Sequence, residues 1–370
     1  MKVLLFANTD WYLYNFRLSL ARFLRENGYE VVLLSPPGRY AKQMEQAGFK
    51  WLGLPLQRDG TNPFVELATI LRLFGVFRKN KPGIVHFFTV KAVLYGSIAA
   101  KLARVPQIIN SIEGLGIAFS DSRPWLRMIV ILLYRLSIRG TRVIFQNTGD
   151  QDVFLKYKLA NPEQCTMSPG SGVDVKLFGP SPEPPGRPVV MLAGRLLRSK
   201  GAPLFAAAAQ VLHEGGSDAR FVLVGEPYPD NPDTVRAEEI ERWREAGILE
   251  AWGWHDDMHN IIPQAAIVCL PTTYNEGLPR TLLEASACQR PVIATDIPGC
   301  RLAVRDGETG LLIPPDDVHA LVAALQTLLG DPALRQSMGI NGRKLVEREF
   351  SLEKTLKHML QVYRESAPVR

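Results

Sequence analysis

The feature that most limits the fold of this chain is a repeated alternation of short apolar runs with segments of helical periodicity. Runs such as Val3–Phe6 are typical of buried strands, and between such runs apolar residues return every three or four positions, as on one face of a helix. This alternation predicts right-handed β-α-β units and parallel sheets with helices on both faces. The predicted strands are Val3–Phe6, Val31–Leu34, Ile84–His86, Gln107–Ser111, Val143–Phe145, Val189–Ala193, Arg220–Val224, Ile267–Leu270, Pro291–Ala294 and Leu311–Ile313.

A stretch rich in proline and glycine, Ser168–Pro188, interrupts this alternation near the middle of the chain. The length of 370 residues suits two domains. We expect an N-terminal Rossmann-like domain at residues 1–170, a linker at 171–187, a second Rossmann-like domain at 188–348, and a C-terminal helix within 349–370 that packs back on the first domain. Two doubly wound α/β domains predict a ligand site in the cleft between them, at the carboxyl ends of the strands.

Composition excludes several other classes of protein. The four cysteines form no C-x-x-C pair and are too few for a disulfide framework, which is typical of a protein from a reducing compartment. No apolar run approaches the roughly 20 residues that a membrane-spanning helix needs. The apolar start of the chain is too short for a secretory signal, so we expect a cytoplasmic protein.

Charge is distributed unevenly along the chain. Residues 1–170 carry 22 Lys/Arg against 11 Asp/Glu, whereas residues 171–370 carry 21 against 26. The segment Ser122–Gly149 has five arginines and no acidic residue, and it contains the apolar run Met128–Tyr134 shortly after Trp125. Such a segment suits an anionic membrane surface, and the alternative is a buried helix with solvated arginines at its ends. No motif for nucleic-acid recognition accompanies the basic charge, so we expect no nucleic-acid partner.

A glycine-bounded basic loop, Gly194–Gly201, follows one predicted strand and precedes a helix. Glycine lets the backbone approach a ligand, and the N-terminus of the next helix presents unpaired N–H groups to an anion. Arg195 and Lys200 add two cations that match the oxygens of a diphosphate. The spacing differs from that of the P-loop of ATPases, and by itself it is also compatible with a purely structural loop.

A second motif, Asn275–Ala285, begins a few residues after the strand Ile267–Leu270. Backbone N–H groups near Thr281 and Leu282 are predicted to point at an anion from the start of a helix. Glu284 lies about one turn further along, where it can reach a ribose, while Glu276 stands in the preceding loop. Two carboxylates beside a diphosphate site suggest recognition of hydroxyl groups, although a glutamate pair at this spacing is often simply solvated.

Together these motifs resemble the retaining glycosyltransferases of family four, which have the GT-B fold: two Rossmann-like doubly wound domains facing across a cleft. The resemblance implies that Arg195 and Lys200 bind the donor diphosphate, that Glu284 binds the ribose, and that Glu276 contacts the donor sugar together with the backbone of Gly277 and Leu278. It also implies that the first domain takes the acceptor and the second the nucleotide-sugar donor. The matching segments are GVDVKLF (Gly172–Phe178), GRLLRSKG (Gly194–Gly201), WGWHDDM (Trp252–Met258), the stretch Pro271–Gly299 and DGETGLLIPP (Asp306–Pro315).

The N-terminal half is similar to bacterial transferases that act on undecaprenyl-diphosphate-linked sugars, in RDGTNPF (Arg58–Phe64), in His86–Ala103 and in EGLGIAF (Glu113–Phe119). This similarity implies a polyprenyl-diphosphate-linked sugar as acceptor and an anionic membrane surface as partner. The protein is then expected at the inner face of the cell membrane, held there peripherally. Many members of the family have a histidine after the strand that ends here at Ser111, whereas this chain has Glu113.

Candidate acceptor residues follow the strands of the first domain. Glu113 is interpreted as an acceptor-side residue or a base, and the alternative is a turn in which Gly114 and Gly116 matter more. The full set of predicted acceptor-binding residues is Asn15, Arg17, His86, Thr89, Lys91, Glu113 and Gly114.

The expected activity is therefore retaining transfer of a hexose or N-acetylhexosamine from a UDP-sugar to a polyprenyl-diphosphate-linked saccharide, in assembly of a surface polysaccharide such as O-antigen or capsule. The predicted catalytic residues are Glu276, Glu113, Arg195 and Lys200, with no cofactor and no metal, because fixed cations stabilise the leaving diphosphate. The alternatives are a UDP-sugar 2-epimerase of the same fold, which needs no acceptor, and a non-catalytic module that binds nucleotide sugars.

Overall fold

The computed structural model divides the chain into two compact units. The first contains Met1–Ser171 and the residues from Thr355 onward, and the second contains Gly172–Lys354. The structure describes residues 1–56, 62–114, 124–228, 231–274 and 276–365. Asn275 and most of the segments Arg58–Phe64 and Glu113–Phe119 lie outside the described residues, as does the Trp125 side chain.

The first unit is built on a seven-stranded sheet in the order β3-β2-β1-β4-β5-β6-β7, and every pair of neighbouring strands is parallel. The order reverses between β1 and β4, which in an open α/β sheet is the point where ligands bind. The strands are β1 (Lys2–Phe6), β2 (Glu30–Ser35), β3 (Lys50–Gly53), β4 (Ile84–Phe88), β5 (Gln107–Ile112), β6 (Arg142–Phe145) and β7 (Cys165–Met167).

Helices cover both faces of this sheet, and their apolar sides form two core layers with the strands. Helices α4 and α6 both pack against α5. The helices are α1 (Asp10–Tyr12), α2 (Leu18–Glu26), α3 (Ala41–Gln46), α4 (Pro63–Asn80), α5 (Val90–Leu102), α6 (Pro124–Ile138) and α7 (Thr148–Lys156). A π-helical turn, Leu13–Arg17, joins α1 to α2.

The second unit contains a six-stranded parallel sheet in the order β10-β9-β8-β11-β12-β13, with its reversal between β8 and β11. The strands are β8 (Val189–Ala193), β9 (Arg220–Val224), β10 (Glu250–Gly253), β11 (Ile267–Leu270), β12 (Val292–Thr295) and β13 (Gly310–Ile313). The helices are α8 (Ala202–Glu214), α9 (Ala237–Glu245), α10 (Met258–Ile261), α11 (Arg280–Ala287), α12 (Pro298–Ala303), α13 (Val318–Gly330) and α14 (Pro332–Leu345).

The segment at 171–187, expected to be a linker, is instead packed into the second unit. Val173 and Phe178 are buried in its core, and the Val173 N–H donates to the carbonyl of Phe350 at 2.9 Å. The Arg290 guanidinium donates to the Ser181 carbonyl at 3.0 Å. Proline and glycine therefore mark irregular backbone here, and that backbone is held by core side chains and hydrogen bonds.

The final helix, α15 (Leu352–Glu365), packs into the first unit. Its side chains Met359, Leu360, Val362 and Tyr363 are buried with the core residues beneath β1, β2 and β4. The chain thus leaves the first unit after Ser171 and returns to it at Thr355, within the helix that was expected in 349–370.

Candidate functional site

In the second unit, a basic loop leaves the end of β8 at the reversal point of the sheet. Gly194, with φ of 147°, begins the loop, and the short 3₁₀ turn Arg198–Lys200 ends at Gly201, with φ of 87°. A Cβ on Gly201 would lie 2.2 Å from the Pro271 carbonyl oxygen, so only glycine allows this contact with the loop after β11. The loops that follow β8 and β11 are therefore held against each other.

Hydrogen bonds also join these two loops. The Thr272 hydroxyl donates to the Ser199 carbonyl at 2.8 Å, and the N–H groups of Thr273 and Tyr274 donate to the same oxygen at 2.8 and 3.1 Å. The Asp233 carboxylate accepts from the Ser199 hydroxyl and N–H on the other side. Ser199 is thereby fixed, and with it the neighbouring Lys200.

The predicted donor residues Arg195, Lys200 and Glu276 come together around Tyr274. The Lys200 ammonium forms an ion pair with Oε1 of Glu276, and both side chains are largely buried. The Tyr274 ring centroid lies 5.3 Å from Nζ of Lys200 and 6.0 Å from Cζ of Arg195. Among the described residues, no carboxylate pairs with Arg195, so this guanidinium can take an anionic ligand.

A third strand end completes this cluster, which we call the donor cluster. A Cβ on Gly299, at the start of α12, would lie 2.3 Å from the carbonyl oxygen of Glu276 and 2.6 Å from that of Gly277. The backbone of Glu276 and Gly277 is thus fixed by a close approach that requires glycine. Leu278 packs against the core beside it, so the predicted backbone contacts lie on a rigid support.

Helix α11 begins at Arg280, and the N-cap residue before it, Pro279, makes no side-chain hydrogen bond to the first turn. The first N–H groups of the helix, around Thr281 and Leu282, have the orientation that favours an anion. Glu284 is buried and accepts from Nε of Arg280 at 2.6 Å. Burial raises the pKa of Glu284, and Arg280 opposes that effect. From the sequence, Glu284 is predicted to reach a ribose. Its ion pair with Arg280 was not predicted.

In the first unit, Arg17 and Glu113 form an ion pair although 96 positions separate them in the sequence. Arg17 ends the π-helical turn after β1, and Glu113 follows β5. Tyr12 joins them: its hydroxyl donates to Oε1 of Glu113 and accepts from Nη2 of Arg17 at 2.6 Å. Single π-helical turns occur frequently at functional sites. We call Tyr12, Arg17 and Glu113 the acceptor cluster, after the role predicted for the latter two.

His86 was predicted to contact the acceptor, and the structure contradicts this placement. The imidazole is fully buried, where Nδ1 bonds to the Tyr363 hydroxyl at 2.7 Å and Nε2 to the Ser111 hydroxyl at 2.8 Å. Burial, with Arg17 nearby, lowers the pKa of His86 well below its usual value. The neutral imidazole therefore joins the final helix to the sheet. The strand continues to Phe88, so His86 lies in the middle of β4 and not at its end, and its side chain is buried in the core.

Two of the other predicted acceptor residues, Lys91 and Asn15, have partners within the first unit. Lys91 forms an ion pair of 2.5 Å with Glu66, and Nδ2 of Asn15 donates to the Trp11 carbonyl at 3.0 Å. Thr89 has φ of 72° at the N-terminus of α5, and among the described residues its buried hydroxyl has no hydrogen-bond partner. Gly114 has φ of 119°, so its turn favours glycine independently of any role of Glu113.

Helix α6, from the arginine-rich segment, is neither fully buried nor fully solvated. Met128, Leu132 and Leu136 are exposed at a spacing of four residues, while Val130 and Tyr134 are buried. The alternative, a buried helix with solvated arginines at its ends, predicts no exposed apolar stripe. The stripe on α6 therefore does not fit that alternative. No helix in the described part of the chain is long and apolar enough to cross a bilayer.

Sequence reasoning missed several residues of both clusters. Tyr12 stood in no quoted motif, and Tyr274 lay inside the stretch Pro271–Gly299 without a role assigned to it, although an aromatic ring can take a cation–π contact with a nearby cation. Asp233 contacts Ser199 from 34 positions away, and no spacing rule connects such residues. Gly299 lay inside a quoted motif, and its close approach to the Glu276 carbonyl explains the glycine.

Two doubly wound parallel sheets with helices, one sheet in each unit, are the architecture of the GT-B class of α/β protein. The structure of Anabaena Alr3699/HepE in complex with UDP-glucose superposes on this fold with a TM-score of 0.82, over 99% of this chain and 100% of that one, at 17% identity.

Two family models identify the family more closely. The model "Glycosyl transferase 4-like" matches residues 2–148, and the model "Glycosyl transferases group 1" matches residues 187–331. The chain therefore belongs to the glycosyltransferases that combine these two domains.

Curated relatives extend along most of the chain. One is the N,N'-diacetylbacillosaminyl-diphospho-undecaprenol alpha-1,3-N-acetylgalactosaminyltransferase of Campylobacter jejuni, which is 26% identical over 89% of both chains. Another is the UDP-Gal:alpha-D-GlcNAc-diphosphoundecaprenol alpha-1,3-galactosyltransferase of Escherichia coli, 27% identical over 80% of this chain and 79% of the relative. Both names describe transfer to a sugar linked to undecaprenyl diphosphate.

Proposed function

We propose that this glycosyltransferase moves a hexose or N-acetylhexosamine from a UDP-sugar to a polyprenyl-diphosphate-linked saccharide, with retention of anomeric configuration. The observation that carries the proposal is the donor cluster, in which Arg195, Lys200 and Glu276 converge at the ends of β8 and β11. The acceptor class is supported by the names of the two relatives, and the UDP-linked donor by that of the galactosyltransferase.

The donor cluster supplies the charges that this reaction needs. Arg195 and Lys200 stabilise the negative charge that develops on the leaving diphosphate, so the reaction requires no metal ion. An ammonium has three donors, so Lys200 can contact Glu276 and a phosphate oxygen at once. Glu276 accepts hydrogen bonds from sugar hydroxyls, and the Gly277 and Leu278 backbone lies beside it. Glu284, whose Oε1 accepts from Arg280, binds the ribose.

In the transfer step, the bond between the anomeric carbon and the diphosphate oxygen breaks, and its electron pair leaves with UDP. The acceptor hydroxyl oxygen forms the new bond to the anomeric carbon on the same face. Its proton passes to an oxygen of the departing phosphate, so the step balances without an added base. Fixed cations at the diphosphate lower the barrier because they stabilise this charge only as it develops.

The first unit offers groups for the two ends of the acceptor. Glu113 can accept a hydrogen bond from a sugar hydroxyl, and Lys91 with the N-terminus of α5 can contact the lipid-linked diphosphate. The buried hydroxyl of Thr89, which lacks a partner among the described residues, is a further donor at that helix N-terminus.

An anionic membrane surface is the partner that α6 fits. Its stripe of Met128, Leu132 and Leu136 is flanked by the exposed arginines Arg135 and Arg139. Apolar side chains that enter the headgroup region beside basic residues are the pattern of an interfacial helix. A membrane location also brings the enzyme to a lipid-linked acceptor.

The test is a donor panel of UDP-GlcNAc, UDP-GalNAc, UDP-Gal and GDP-Man against polyprenyl-diphosphate sugars, with product mass as the readout and a parallel arm containing EDTA. We expect one UDP-sugar to extend a lipid-linked acceptor by one residue, with the same yield in EDTA. Isomerisation of a UDP-sugar without acceptor would identify an epimerase instead. Binding of a nucleotide sugar without turnover on any acceptor would identify a non-catalytic module.

A further inference from the structure

The acceptor cluster contains a tyrosine that no family motif marks. Tyr12 ends α1, immediately before the π-helical turn, and its hydroxyl donates to Oε1 of Glu113. The same hydroxyl accepts from Nε and Nη2 of Arg17 at 3.0 and 2.6 Å, and Nη2 of Arg17 also donates to Oε1 of Glu113. The three side chains therefore form a closed triangle of hydrogen bonds.

The surroundings hold Tyr12 in this position as a donor. Its ring centroid lies 5.2 Å from that of Phe16 and 5.9 Å from that of Phe88, and Cζ of Arg17 lies 4.3 Å from the Phe88 centroid. Burial raises the pKa of Tyr12 well above its ordinary value, so the hydroxyl keeps its proton. A protonated, packed phenol beside a carboxylate fixes the direction of that carboxylate.

The two oxygens of Glu113 consequently have different environments. Oε1 accepts from Tyr12, from Arg17 and, at 3.3 Å, from Nε2 of Gln146. Oε2 has no hydrogen-bond partner in the part of the chain that the structure describes. The Glu113 side chain keeps 16% of its surface exposed, against 5% for Arg17. Oε2 is therefore the oxygen that these described contacts leave for a ligand.

We propose that Tyr12 is a positioning residue for the acceptor: with Arg17 it fixes Oε1 of Glu113, so that Oε2 accepts a hydrogen bond from a hydroxyl of the acceptor sugar. This inference rests on the proposed function, and it assigns a role to a residue outside the recognised motifs. Arg17 then acts through Glu113 as well, which restricts its predicted role in acceptor binding to an indirect one.

The experiment is Tyr12→Phe, assayed with the lipid-linked acceptor and the preferred UDP-sugar. Phenylalanine keeps the ring contacts and removes only the hydroxyl. We expect kcat/KM for the acceptor to fall about tenfold, which is the lower range for a hydrogen bond to a charged group, while KM for the donor stays unchanged. The matched control is Tyr14→Phe in the π-helical turn that follows, because the Tyr14 ring stacks on Tyr40 and its hydroxyl has no hydrogen bond among the described residues.

A double-mutant cycle with Glu113→Gln separates positioning from general support of the fold. If Tyr12 acts through Glu113, adding Tyr12→Phe to Glu113→Gln costs much less than it does alone. Fully additive losses, or a Tyr12→Phe enzyme that behaves like Tyr14→Phe, would overturn the inference while wild-type transfer upholds the proposed function. A wild-type chain that transfers no sugar to any acceptor would overturn both.

Discussion

The two charged clusters occupy equivalent places in their sheets but are assembled in opposite ways. The donor cluster draws its cations from one short loop and its carboxylate from one other, Arg195 to Lys200 and Tyr274 to Glu276. The acceptor cluster joins Tyr12 and Arg17 to Glu113, with Gln146 behind them. The charged groups of the first come from two loops, with 76 positions between Lys200 and Glu276, whereas three segments supply the second, with 96 positions between Arg17 and Glu113.

This difference has a consequence for substrate recognition. A cluster built from two loops at neighbouring strands keeps its geometry as long as the ends of β8 and β11 stay adjacent, which suits the diphosphate of the proposed donor. A cluster built from distant segments depends on the packing of a whole unit, so small changes in that packing alter its geometry. We infer that the acceptor side is the more adaptable of the two.

The largest effect is expected from substitutions that remove a cation from the donor cluster. Lys200→Ala or Arg195→Ala should lower kcat by roughly 10²–10³, the usual cost of removing one group that stabilises a developing anion. Steady-state kinetics with the preferred UDP-sugar measure this. Arg198→Ala is the matched control, because Arg198 lies in the same loop, is half exposed and pairs with Glu239. Near-normal turnover in both cluster variants, with folding intact, would contradict the assigned role.

The next effect addresses the acceptor cluster directly. Glu113→Gln should lower kcat/KM for the acceptor by roughly 10–100-fold, since a hydrogen bond to a charged group is lost, and should leave the affinity for UDP unchanged. Acceptor titration and calorimetry with UDP measure the two quantities. A Glu113→Gln enzyme with wild-type rates would favour the alternative in which the Gly114 turn alone matters.

The unequal charge of the two units predicts a smaller effect at the membrane. Replacing Arg135 or Arg139 by alanine should weaken binding to vesicles of phosphatidylglycerol and phosphatidylcholine about fivefold each, since each basic residue near the surface contributes about 1 kcal/mol. Arg244→Ala, on α9 of the second unit, is the control and should change nothing. Equal losses on pure phosphatidylcholine vesicles would contradict an electrostatic contribution.

The smallest effect concerns pH and the core beneath the acceptor cluster. Because the pKa of folded His86 is lowered, the unfolded chain binds a proton more readily below about pH 6.5. The free energy of unfolding should therefore fall as the pH drops below that value, and His86→Asn should flatten this slope. Denaturant unfolding between pH 5 and 8 measures it, with the exposed His319→Asn as control. An unchanged slope in His86→Asn would show that other groups cause the dependence.

The sequence predicted the strands of the sheet interiors and missed three at the edges. β1 and β8 are almost continuous apolar runs because they are buried on both faces, whereas β3, β7 and β10 are edge strands with polar or exposed residues. Their pairing depends on a neighbour that a local pattern does not reveal. The segment 171–187 was predicted to be a linker because its contacts, too, are with residues far along the chain. Val173 bonds to Phe350, and Ser181 accepts from Arg290.

The donor cluster was largely predictable, and the acceptor cluster was not. Arg195, Lys200 and Glu276 stand in motifs at strand ends, and parallel strands bring their carboxyl ends to one edge. The pairing of Arg17 with Glu113 had no local signal, and neither had the bond between His86 and Tyr363, which spans 277 positions. Burial decided the orientation of His86, and burial is a property of the folded unit.

The return of the chain to its first unit affects the order in which the protein can be made. A ribosome releases residues 172–354 before it releases Tyr363, so the imidazole of His86 and the apolar layer around Met359 stay uncovered until the whole second unit has been made. The unit that is translated first is therefore the last to complete its core. A substitution that loosens α15, more than 200 residues away in the sequence, would therefore disturb the acceptor cluster through the apolar layer that α15 completes.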